Sequence, residues 1–182
     1  MKKIFLLITL LIITASTIIM SGCGNQNENN TTKQATTDKF VGTYYAPPKP
    51  NNFKPVEEIT ITKEGDKYFL EGKQWEYEYT KIEGNNYTIE PISKPINKVP
   101  VEVKDNSIIV PATLGNKITL TLQNNNLTGT NIGQENYQAT YIKSKEQFKE
   151  YMAKAAEGCK KVYTNFGKNV TINNEKLNTI TK

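Results

Sequence analysis

Gln74-Trp75-Glu76-Tyr77-Glu78-Tyr79-Thr80-Lys81-Ile82 is the stretch on which the fold turns. Large rings alternate with charged or hydroxyl side chains. In an extended chain Trp75, Tyr77 and Tyr79 therefore share one face, and Glu76, Glu78 and Thr80 the other. An aromatic-rich run with period two predicts a half-buried β-strand. Its neighbours repeat the pattern. Upstream, Val56 to Lys63 and Lys67 to Gly72 flank the turn Glu64-Gly65-Asp66 and predict a hairpin. Downstream, Gly84-Asn85-Asn86 turns the chain into a strand from Tyr87 to Ile92. A proline-bearing link then leads to Lys98–Lys104, which sets Val99, Val101 and Val103 on one face. Further short strands follow across turns at Asp105-Asn106-Ser107 and Asn124 to Asn126, ending with Tyr137, Ala139 and Tyr141 on one side. A first strand, Phe40 to Ala46, runs into Pro47-Pro48-Lys49-Pro50.

Eight to ten short strands with short links predict a mainly β fold, an antiparallel meander over residues 40–143. Closing that meander into a barrel is the simplest way to remove its edges. At Ser144 the period changes. Ser144-Lys145-Glu146-Gln147 fits a capping box, and Phe148, Met152, Ala155, Cys159, Val162 and Phe166 recur at helical spacing. One C-terminal α-helix over 144–166, packed on the barrel, is expected. Residues 167–182 read as a polar tail with one possible short strand at Val170 to Ile172.

The N-terminus gives an address. Lys2 and Lys3 precede an apolar run from Ile4 to Met20, the layout of a signal peptide over residues 1–22. Met20-Ser21-Gly22-Cys23 resembles the lipobox of bacterial lipoproteins. The resemblance implies cleavage after Gly22, a lipid on the Cys23 sulfur, and anchoring at the outer face of the cell membrane. Beyond that cysteine, residues 23–39 hold one alanine and no larger apolar side chain, so they read as a flexible tether. Its root-mean-square reach is roughly 20 Å. Heavy use of Asn, Lys, Thr and Ile fits an AT-rich, Gram-positive source.

Composition then narrows the chemistry. The 182-residue chain has no His and no Arg and a net charge of +5. Without imidazole the commonest general base and metal ligand are missing. Without guanidinium there is no bidentate fork for phosphate or guanine. No catalytic residue, metal site or cofactor is therefore expected, and no nucleic-acid partner. With Cys23 assigned to lipid, Cys159 stands alone on the helix stripe and reads as a buried thiol.

Trp75, Tyr77 and Tyr79, with Tyr68 of the preceding hairpin and Tyr87 of the next strand, are the candidate ligand-binding residues. Rings with polar tips inside a barrel suit an amphiphilic ligand. The same face also reads as plain core. Glu76 and Glu78 are paired carboxylates on what reads as a solvated face.

The order of elements, a meander followed by a packed helix, resembles the lipocalins and the wider calycins. Gly42-Thr43-Tyr44 stands where that family carries Gly-x-Trp, with Tyr in place of Trp and no Arg to pack over it. The resemblance implies a barrel that holds a small amphiphilic or apolar ligand without catalysis. The alternative is a surface lipoprotein acting by protein–protein contact, as an immunity, exclusion or adhesion factor. The address itself is testable. Intact-mass analysis of the membrane fraction should find Cys23 as a lipidated N-terminus, and Cys23→Ala should release the chain from the membrane.

Overall fold

A computed structural model describes residues 38–50, 55–111, 116–132 and 137–182. The signal peptide, Cys23 and most of the tether lie outside the described residues.

Eight strands form one antiparallel meander, each hydrogen-bonded to the next: β1 (Gly42–Ala46), β2 (Val56–Glu64), β3 (Lys67–Glu83), β4 (Asn86–Lys104), β5 (Ser107–Val110), β6 (Ile118–Gln123), β7 (Asn126–Thr130) and β8 (Gln138–Tyr141). The tight links demand unusual backbone, and the sequence supplies it. Asn124 and Asn125 adopt φ of 50° and 64° in the two-residue turn between β6 and β7, the left-handed pair that matches strand twist. Tyr45 and Ile142 exchange backbone hydrogen bonds of 2.8 and 2.9 Å across β1 and the end of β8. That single bridge nearly closes the barrel.

Side-chain parity fills the interior. Tyr44, Ile59, Ile61, Leu70, Ile108, Leu120, Leu127 and Tyr141 are all fully buried in one cluster. Phe40 covers one end of the barrel. The Tyr44 hydroxyl donates to the Phe40 carbonyl at 2.9 Å, and burial pushes its pKa to about 12. Asp38 holds the same end: its carboxylate accepts from the Phe40 N–H at 3.2 Å and from the Tyr68 hydroxyl, and pairs with Lys63 at 3.2 Å. Partial burial works against that charge, yet these donors outweigh it and hold the carboxyl below its usual range. The barrel domain therefore begins at Asp38, two residues inside the expected tether.

Two strands outgrow the barrel. β3 spans 17 residues and β4 spans 19, each replacing two shorter expected strands. Their outer halves, roughly Trp75 to Ser93, extend beyond the end of β2 as a paddle. The expected break at Gly72 is instead a close approach. A Cβ there would lie 2.0 Å from the Glu58 carbonyl oxygen on β2. Glycine thus lets β3 bend off the barrel without breaking its ladder.

Prolines do not break β4 either. Ile89 turns its carbonyl away from β3, accepting from Asn173 N–H at 2.9 Å, so Pro91 and Pro95 share that outward parity. A bulge between Leu70/Gly72 and Val99/Ile96 flips the parity and brings Pro100 to the same side. All three missing N–H groups face an edge that is unpaired, among the described residues, between β9 and β5.

The helix after β8 is α1 (Lys145–Asn165), as expected. Ser144 caps it, accepting from Gln147 N–H at 3.2 Å. The reciprocal half of the box is not made, because the Gln147 amide donates to Glu150 at 2.6 Å. The tail departs from expectation. It forms β9 (Asn169–Ile172), parallel to β4, and a second helix α2 (Asn174–Ile180) capped by Asn173. Val170 is buried, and Ile172, Leu177 and Ile180 pack on the same cluster, which polar neighbours masked in the sequence. The fold therefore has two helices among the described residues.

Gly72→Ala should lower stability by ~2 kcal/mol or more, the scale of a forced overpacking. Urea denaturation checks this, and an unchanged midpoint would show that β2 and β3 tolerate separation.

Candidate functional site

The aromatic face lies outside the barrel. Ile59 and Ile61 point inward from β2, and Ile59 pairs with Gly72 while Val56 pairs with Trp75. The even positions of β3 therefore face the interior, and Trp75, Tyr77 and Tyr79 face out. Helix α1 covers them. The expectation that these rings line a barrel interior is corrected by this register.

Trp75 and Tyr77 are core residues of a second apolar cluster with Val56, Ile89, Phe148, Met152 and Cys159. The Trp75 ring meets Phe148 at 6.2 Å between centroids, and its Nε1 donates to Glu58 Oε2 at 3.0 Å. The Tyr77 hydroxyl donates to the Met152 carbonyl at 2.7 Å, and burial drives its pKa up. Tyr68 belongs elsewhere: it packs against the interior cluster, edge-on to Phe40 at 6.4 Å. The five candidate residues thus divide among two cores and one surface.

The surface part is the paddle's far end. Tyr79 is 47% exposed, and its ring lies 4.5 Å from Tyr163 and 6.1 Å from Tyr87. Lys168 Nζ sits over all three rings, at 5.1 Å from Tyr79, 4.6 Å from Tyr87 and 5.3 Å from Tyr163. Asn169 N–H donates to the Asn85 carbonyl at 2.9 Å, which brings the end of α1 beside the paddle turn. Ile82, the extra residue of a bulge in β3, is 66% exposed there, and Phe166 at the helix C-cap is 75% exposed. Phe166 and Val162 were expected on the buried stripe. The true stripe runs from Cys159 to Tyr163, four residues on, and leaves both outside.

Cys159 is buried as expected. Glu76 pairs with Lys94 at 3.0 Å and Glu78 is exposed, so no close carboxylate pair forms on that face. A different carboxylate is buried. Glu57 shares the inward parity of Ile59, and its Oε2 accepts from the Ile132 N–H at 3.1 Å and from the Tyr141 hydroxyl. Burial first, then Glu57, pushes the Tyr141 phenol well above its usual range. Asn131 N–H donates to the Tyr137 carbonyl at 2.7 Å beside this cluster, so the group pins the chain between β7 and β8. Strand parity could have flagged Glu57. Nothing in periodicity marks Lys168.

Among the described residues no group of three or more His, Cys, Asp or Glu side chains is placed to hold a metal ion. No family model, curated protein or solved structure matches the chain.

The division between core and surface is measurable. Trp75→Ala should cost ~3–5 kcal/mol, the usual scale for emptying a buried aromatic site. Tyr79→Ala should cost only about 1 kcal/mol, the scale of an aromatic pair contact. Comparing the two unfolding midpoints checks this, and equal losses would contradict the assignment.

Proposed function

We propose that this chain is a lipid-anchored protein of the outer face of the cell membrane. It acts without catalysis, by contact with a protein partner through the paddle's far end. The observation that carries this reading is where the apolar groups lie. The barrel interior is occupied by Tyr44, Tyr141 and aliphatic side chains. Large apolar side chains are instead exposed at Tyr79, Ile82, Val162 and Phe166. Exposed apolar patches of this kind mark interaction sites, and Tyr and Phe are common interface anchors.

Geometry supports the same reading. The tether joins at Asp38, beside Tyr68 near the start of β3. Tyr79 and Ile82 lie near its other end, roughly 50 Å of strand away at the usual rise per residue. A partner outside the membrane could reach them.

A second reading keeps a small amphiphilic ligand in a lipocalin-like barrel. One contact favours it: Lys143 Nζ lies 4.7 Å over the Tyr44 ring and donates to the Val41 carbonyl at 3.0 Å. That cation takes the place of the Arg over the Gly-x-Trp aromatic implied by the resemblance.

Native mass spectrometry of the full chain extracted from its host membrane separates the two. A stoichiometric protein partner is expected, lost in the double variant Ile82→Ser, Phe166→Ser while the circular dichroism spectrum is unchanged. A co-purifying small molecule with no protein partner would overturn the contact reading in favour of the ligand.

A further inference from the structure

Three tyrosine faces converging on one ammonium make a cage, and this one is assembled from three separate elements. Tyr79 comes from β3, Tyr87 from β4 and Tyr163 from α1, and Lys168 reaches in from the turn after the helix. Gly167, with φ of 71°, ends the helix and aims the chain back toward the paddle. The cage is open to solvent on the side of Tyr79.

Its chemistry does not suit a lysine well. A primary ammonium carries three N–H donors that require acceptors. Among the described residues no carboxylate lies within ion-pair distance of Lys168, and no hydrogen bond holds its Nζ. The site offers ring faces and no anion. That complement fits a cation without N–H groups, which is weakly hydrated and attracted to the negative faces of aromatic rings.

We propose that Tyr79, Tyr87 and Tyr163 form a binding site for a small quaternary ammonium ion, occupied in the free chain by Lys168. Lys168 acts as a tethered competitor. Its long side chain leaves the cage by rotation about single bonds, with no change in the fold. The incoming cation takes its place over the three rings. The source is a free choline-like molecule or the choline group of a lipid. This site goes beyond the contact reading and stands without it, since a protein partner could bind the same end with the cage empty or full.

Aromatic nuclear magnetic resonance on the full chain tests it, with tetramethylammonium chloride as probe and equal potassium chloride as control. Saturable shifts confined to the Tyr79, Tyr87 and Tyr163 ring signals are expected. Lys168→Ala should bind about two- to fivefold more tightly, the ~0.5–1 kcal/mol of one exposed cation–π contact at 1.4 kcal/mol per tenfold. Tyr79→Phe should retain binding and Tyr79→Leu should lose it. Choline chloride and short-chain phosphatidylcholine below its micelle concentration are run in parallel; tighter saturation by one identifies the free or the lipid source. Shifts equal to those in potassium chloride, in both wild type and Lys168→Ala, would overturn the proposal. If Lys168→Ala does not fold, the wild-type titration decides together with the two Tyr79 variants: saturation that Tyr79→Leu leaves intact counts against the cage.

Discussion

Gly72 is where two cores become one structure. A side chain there would meet the backbone of β2 at 2.0 Å, so β2 and β3 can approach as they do only with hydrogen in that place. Below this point the inward residues of β3 help fill the barrel. Above it the outward residues make the floor for helix α1. Because one strand serves both, the barrel and the paddle share a backbone, and bending at Gly72 sets where Trp75 and Tyr77 meet the helix. Gly129 repeats the device across the barrel, where a Cβ would fall 2.2 Å from the Thr119 carbonyl oxygen.

What holds the paddle is apolar packing far more than charge. Lys94 with Glu76 and Lys176 with Glu90 pair at 3.0 and 2.8 Å, but both lysines stay open to solvent. Pairs of this kind contribute ~1 kcal/mol or less. Phe148, Met152, Trp75 and Tyr77 are buried, and each such side chain contributes on the order of 1.5–3 kcal/mol. The tail adds to this. Val170 closes the cluster from β9, so a segment rich in Asn and Thr completes the paddle's core.

Period two and turn chemistry made the meander readable from residues alone, and the switch at Ser144 marked the helix to within a residue. Two things were out of reach of local pattern. Whether Lys67–Gly72 and Gln74–Ile82 are one strand or two depends on Gly72 touching β2, a contact no window of sequence contains. Which face of a strand is inside depends on register against its partner, and that placed Trp75 under a helix instead of in a lumen. The cage was hidden for a related reason: Lys168 and Tyr79 are far apart in sequence, and a lysine after a helix-ending glycine looks like any solvated cation.

The bulge in β4 has a consequence for how this chain can change over evolutionary time. Asn97 and Lys98 stand together opposite Glu71, and that one surplus residue decides which way everything between it and the paddle turn faces. Deleting it would swing Ile89 off the helix and turn the bare nitrogens of Pro91 and Pro95 toward β3, where donors are needed. Removing one whole rung near the turn, a residue from each strand, leaves every side chain between it and the barrel on its own face. The paddle can therefore lengthen or shorten among descendants in steps of two, while the residue count at its root is frozen.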